Sequence, residues 1–214
     1  MQTISLHLLG MVYTCKQVRI EPDTCNNDMN KEKRRAFAAK LKQHQQEGDF
    51  VVYYDETNYN LYCKRSRGRS KPGTRASTVL PPSKGPNLQI KCAVSAELGL
   101  VCYRLEQGCI KMDENAAYVE TIYQAVKMNA AWQDNFAGKR VVIVLDNAPS
   151  CFSVLKSRIK GYLAHHTADM FERGEYRTFL ERRMVLLEDA AHESMPCISQ
   201  SLVIEVLFCQ ENVE

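Results

Sequence analysis

The sequence predicts an α/β fold, a mixed sheet with helices packed on it. Three observations carry the prediction. Apolar runs of hairpin character lie between about residues 50 and 105, where FVVYYDE, NLQIKCAVS and LVCYRL are separated by polar turns. A helical pattern from Asp113 to about Met128 then leads into VVIVLD, five apolar residues in a row before Asp146. Helical patterns fill most of the chain from Cys151 to Phe208. Hairpins first, then a helical crossover into an apolar strand, is the order of a sheet that mixes antiparallel and parallel pairs.

Each element has its own signal. Met1 to Val18 reads as a short helix with Ile4, Leu8 and Met11 on one face, and Arg19 to Asn30, with Pro22 and Asn26-Asn27, reads as a linker. Asn30 stands where it can cap a helix through Gln46, on which Phe37 and Leu41 fall at i, i+4 spacing, and Gly48 ends that helix. Phe50 to Asp55 reads as a buried strand, and NYNLYCK as a second strand after a polar turn at Thr57-Asn58. RSRGRSKPGT and VLPPSKGPN are loops punctuated by glycine and proline. Leu88, Ile90, Cys92 and Val94 alternate with Gln89, Lys91, Ala93 and Ser95, the pattern of a half-buried strand; Ala96 to Gly99 turns it into an antiparallel partner. Asp113 is placed to cap the next helix, with Ala116, Val119, Tyr123 and Val126 on one face and Ile122 beside them. Gly138 breaks the chain before VVIVLD, whose unbroken apolar run predicts a strand covered on both faces.

Apolar residues make up 45% of the 214, enough for a real core, and the net charge of +3 distinguishes no function class. Its distribution says more. Thr57 to Ala96 contains no acid and carries eight cations, Lys64, Arg65, Arg67, Arg69, Lys71, Arg75, Lys84 and Lys91, so the rest of the chain sums to −5. Such a local excess fits either a polyanionic partner such as DNA or a solvated basic loop. Nine cysteines lie scattered without a CxxC pair, which argues against a structural zinc site and for a reducing compartment. The sequence shows no secretory leader pattern and no stretch of transmembrane length, so a nuclear or cytoplasmic protein, neither secreted nor membrane-bound, is expected.

Two aspartates end apolar strands, Asp55 after VVYY and Asp146 after VVIVL. On neighbouring strands of one sheet their carboxylates would lie close enough to share hard divalent cations, which take oxygen ligands. Two such ions can clamp the attacking and leaving oxygens of a phosphodiester. An Asp after a strand is also a common turn residue or helix cap.

YYDETNYNLY, KRSRGRSKPG and VVIVLDNAP, in this order, resemble the catalytic domain of the Tc/mariner superfamily of DDE transposases, over most of the chain from Phe50 to Pro149. The early segment TISLHLLGMVYTCKQVRIEP resembles the tail of the helix-turn-helix region that precedes this domain. The resemblance implies a ribonuclease H-like fold and two aspartates plus a third acid binding magnesium or manganese. It also implies hydrolysis of DNA strands at transposon ends followed by attack of a 3′-hydroxyl on target DNA. Asp55 and Asp146 match the first two acids, as catalytic residues and metal ligands. The basic loop, with Lys64, Arg65, Arg67, Arg69, Lys71 and Arg75, is expected to bind DNA, and family members commonly act as dimers.

In the family a helix, a further strand and a turn bearing the third acid follow the second aspartate. Here four residues separate Asp146 from Cys151, where the helix CFSVLKSRIKGYLAHH begins. The third acid and the strand before it are missing, as if two family segments were fused across a deletion between 149 and 151. The expected organisation is a helix-turn-helix remnant and linker helix over 1–47, an incomplete ribonuclease H-like domain over 48–166 and a C-terminal helical extension over 167–214. The alternatives are a non-catalytic nucleic-acid-binding remnant of the same ancestry and an unrelated metal-dependent nuclease. Substitute acids downstream, Glu172, Glu175, Glu181, Glu188, Asp189 and Glu193, sit in helical, arginine-rich runs where solvated ion pairs account for them.

Overall fold

The computed structural model describes residues 27–65, 68–108, 112–145 and 151–211. The chain divides into two compact units, 1–43 and 44–214. The helix expected over Met1 to Val18 lies outside the described residues, as does most of the expected linker.

Helix α1 spans Asp28–Gln46 and buries none of its residues. Its cap is Asn27, whose Oδ1 accepts from the Asn30 N–H at 2.8 Å. Asn30 is therefore the third helical residue, not the cap; either asparagine satisfies the sequence rule, and the chain uses the earlier one. The C-terminal end follows expectation. Gly48 takes φ 71°, its N–H donates to Gln45 O at 3.1 Å, and the Asp49 N–H donates to His44 O at 3.0 Å.

Strand β1 runs Phe50–Tyr59 without interruption. No turn forms at Thr57-Asn58, because β2 (Leu88–Ser95) supplies an antiparallel partner for each residue there: Thr57 faces Ile90, Asn58 faces Gln89 and Tyr59 faces Leu88. The turn falls later, where the Cys63 N–H reaches Asn60 O at 2.9 Å. NYNLYCK is thus the end of β1 and a turn, not a second strand. After the loops, β2 turns through Gly99 (φ 72°) into β3, Gly99–Gln107.

Helix α2 (Met112–Met128) and helix α3 (Ala130–Phe136) follow, α3 capped by Asn129, whose side chain accepts from the Ala131 N–H. Asp113 lies inside the first turn of α2 rather than at its cap, still where a carboxylate favours the helix dipole. The buried face of α2 is Tyr118, Ile122 and Val126; Ala116 and Tyr123 face solvent. The stripe is rotated from the expected one because Tyr118 outranks alanine in apolar area.

Strand β4, Val141–Leu145, pairs in parallel with β1, and the sheet order is β3-β2-β1-β4. Its apolar run is not covered on both faces. Only Val144 is buried and Leu145 is 54% exposed. Among the described residues no strand pairs with the outer edge of β4. The strands buried from both sides are β1, over Phe50 to Tyr54, and β2, in which Ala93, Ser95 and even Lys91 are hidden along with Leu88, Ile90, Cys92 and Val94. Alternation failed there because helices cover the second face as well.

One face carries a core of Phe50, Val52, Tyr54 and Ala93 against Tyr118, Ile122, Val126 and Trp132. The C-terminal helices cover the other: α4 (Cys151–His165), α5 (Phe179–Ser194) and α6 (Gln200–Glu211). Helix α4 buries Cys151, Leu155, Ile159 and Leu163. The Tyr59 hydroxyl donates to Leu187 O of α5. Single turns of tighter helix span Ala168–Phe171 and Met195–Cys197. Residues 172–178 are not helical, which removes Glu172 and Glu175 from the helical runs expected to hold them. Among the described residues no helix is long and apolar enough to cross a membrane.

Candidate active site

The site is built on the pairing of β1 with β4. The parallel register aligns Phe50 with Val141 and continues in step to Tyr54 opposite Leu145. Asp55 and Asp146 are the next residues of the two runs. Asp146 lies outside the described residues, so the distance between the carboxylates is not part of the geometry. Asp55 is half-buried, stands opposite Cys92 of β2, and its Oδ1 accepts from the Glu56 N–H at 2.7 Å. Burial above all pushes the Cys92 thiol far up, with the Asp55 carboxylate adding to the rise, so it stays protonated.

Glu56 belongs to the opposite face, as strand alternation demands. It accepts from the Tyr54 hydroxyl, with Asn115 of α2 3.4 Å from that hydroxyl. Opposite Glu56 in register stands Lys91, fully buried, its Nζ 2.9 Å from Glu106 Oε2 and 5.8 Å from the centre of the Tyr118 ring. This polar group braces β1 and β2 from behind Asp55.

Among the described residues, the three metal-ligating groups that converge are His44, Glu47 and Asp49, with ligand atoms within 4.8 Å of one another. The sequence reading missed them. They stand before the first residue of β1, six or more positions from Asp55. Their own partners explain them. His44 Nδ1 lies 2.8 Å from Asp49 Oδ2. Arg140, just before β4, places Nη2 3.0 Å from Glu47 Oε2 and its backbone N–H 3.3 Å from Asp49 Oδ1. The hydrogen bond from His44 holds the Asp49 carboxyl below its usual range against the opposing effect of burial, with Arg140 adding to the lowering. With Arg140 already neutralising both carboxylates, the trio works as a clip that joins the starts of β1 and β4. The adjacent polar residues before the two strands were the available signal.

The basic loop folds back over α4. Lys64, Arg65, Arg69 and Arg75 line one cavity with Leu61, Leu80, Leu163, Ala164 and Met170. Arg67 lies outside the described residues, and Lys71 is exposed in the same loop. Arg65 lies over Gly161 of α4, where a Cβ would stand 3.6 Å from its Nη2, an ordinary contact distance. Of the downstream acids, Glu181 closes a capping box with Thr178 and the Arg177 N–H. Glu188 accepts from Gln107 at 3.0 Å. Glu172, Glu175 and Glu193 are exposed.

Residues 50–160 match the family model of a DDE superfamily endonuclease. No curated protein matches the chain. Among solved structures, the mariner Mos1 paired end complex with Mg shares the fold at a TM-score of 0.55 and 16% identity, over 97% of this chain and 66% of that one. A Mos1 paired end complex with Mn gives 0.46 and 15%, over 92% and 69%. A Mos1 transposase paired-end complex with left transposon end gives 0.47 and 14%, over 92% and 71%. The first of these bears out the mixed ribonuclease H-like sheet. The chain spans just under two thirds of that relative's length.

Proposed function

The chain belongs to the DDE superfamily endonucleases, and from that premise we propose that it descends from a Tc/mariner-type transposase and is catalytically defective. The ancestral reaction is metal-dependent cleavage and transfer of DNA strands. The observation that carries the reading is the parallel register of β1 and β4, which brings the residues preceding Asp55 and Asp146 side by side. In this reading Asp55 and Asp146 are the catalytic carboxylates.

Carboxylate oxygens are the donors that magnesium or manganese takes, so Asp55 and Asp146 would hold the ion, which when bound supplies charge neutralisation at the scissile phosphate. What the chain's own residues do is narrower. The β1–β2 hydrogen bonds and the Glu56 N–H orient Asp55. Glu56, turned to the other face, leaves the pair without a third acid. A two-acid site binds hard cations weakly, because ligand count and charge set affinity.

DNA is the proposed partner, held mainly through phosphates by Lys64, Arg65, Arg67, Arg69, Lys71 and Arg75; a dimer on paired ends and a nuclear location go with the same ancestry. The acid-free basic loop also favours the second reading, a protein that binds DNA without cutting it. One experiment separates the two. DNA carrying the element's ends is incubated with the chain and magnesium or manganese, with Asp146→Ala as control. The defective reading expects binding without cleavage. Efficient cleavage that Asp146→Ala abolishes refutes it and means another residue supplies the third ligand.

A further inference from the structure

Charge alone would make the basic loop a flat phosphate-binding surface. Its shape is different. The loop and the end of α4 enclose an open cavity of about 620 Å³, within the ~300–1,000 Å³ range of small-molecule sites. Among the described residues four cations line it, Lys64, Arg65, Arg69 and Arg75, and no carboxylate does. Lys160 and Lys156 of α4 add to the field: burial raises the Cys63 thiol pKa at the cavity wall, and these two lysines oppose that rise. The floor is apolar, with Leu80 and Ala164 reachable above the buried Leu163 and Met170.

A duplex presents phosphates and hides its base faces. It would use the rim and leave the floor empty. A ligand that satisfies both parts needs an anion and a flat apolar face on one unit. We propose that the cavity takes one unpaired nucleotide of a DNA strand, its phosphates on the arginines and its base against Leu80 and Ala164. Such a contact needs no sequence readout, because every base has an apolar face. The proposal rests on the loop's role in phosphate binding and adds a preference for single-stranded over duplex DNA.

The test uses the full chain and fluorescence anisotropy with labelled dT20 and a labelled 20-base-pair duplex. Ala164→Trp fills the floor and keeps every charge. It should weaken dT20 binding about tenfold and change duplex binding less than twofold. Equal effects on both DNAs, or none on either, overturn the nucleotide site. Thr167→Trp fills the same cavity from its neighbouring wall and carries the same expectation should Ala164→Trp not fold. Arg65→Ala/Arg69→Ala/Arg75→Ala tests the underlying reading separately: it should weaken both DNAs and flatten the salt dependence, and an unchanged duplex affinity refutes phosphate binding by the loop. Free dTMP competing as well as dT20 at equal nucleotide concentration would reassign the cavity to mononucleotides and overturn the strand assignment.

Discussion

Glu106→Gln should be among the most damaging single changes available in the sheet. Lys91 is 0% exposed, and Glu106, 19% exposed, neutralises it at 2.9 Å. Among the described residues the Lys91 ammonium has no hydrogen bond of good geometry, and its charge rests on that pair and on the Tyr118 ring. Removing one partner of a buried pair leaves an uncompensated charge and costs about 3–5 kcal/mol. The partial exposure of Glu106 puts the expected loss near the lower end, about 3 kcal/mol. For a domain of this size that is a fall in Tm of roughly 6–12 °C. Lys91→Met removes the charge with its desolvation cost and keeps the apolar stem, while Arg104 stays 3.8 Å from Glu106; it should change stability by less than about 1 kcal/mol. Both are measured by circular-dichroism melting and urea titration. Equal losses for the two variants, or a larger one for Lys91→Met, would show that Lys91 contributes by a stabilising pair rather than by being a charge that must be neutralised.

Gly161→Ala should stabilise the protein by roughly 0.5–1 kcal/mol, since an alanine there gains helix propensity and its Cβ meets Arg65 at an ordinary contact distance; differential scanning calorimetry checks the sign. Gly99→Ala should destabilise by several times that amount, read as a lower urea midpoint, because the position has φ 72° and its Cβ would fall 2.7 Å from Gln200 N. Asp49 is lowered in the folded state, so its contribution is complete above the unfolded value of about 4 and is lost as pH falls through the lower folded value. The stability gap between the unmodified chain and Asp49→Asn, followed by urea midpoints from pH 6 downward, should hold to about pH 4 and close below it.

The hairpin, the crossover helix and the apolar parallel strand were legible because their signals are local: periodicity, Gly48, Gly99 and Gly138, and VVIVL. Asp55 was expected to end its strand; β1 instead continues to Tyr59, so Asp55 stands within the strand. What the sequence hid depends on distant chain. Whether β2 is half or wholly buried is decided by α2, whose Tyr118 closes over the Lys91 face, so Lys91 read as a solvent-facing lysine. The end of β1 was misjudged because Thr57-Asn58 has turn chemistry, and only pairing with Ile90 and Gln89 outweighs it. The His44–Asp49–Arg140 clip joins residues 91 apart, and no periodicity announces such a contact. The extra arginines of the loop were visible as charge, but the cavity beneath them needed the end of α4.

The outer flank of β4, which no described strand covers, bears on how such a sheet would tolerate a shortened chain. A four-stranded sheet grown outward from β1 loses one ladder when its outermost member is removed; loss of an inner strand would cut it in two. A deletion after β4 would therefore fall where the architecture has least to lose in cooperativity. The consequence moves from folding to handling. Among the described residues no strand pairs with the outer edge of these five apolar residues, so concentration, more than temperature, should set the useful working range of the purified protein. A lysine at an outward position of that strand would act as a gatekeeper without disturbing its pairing with β1.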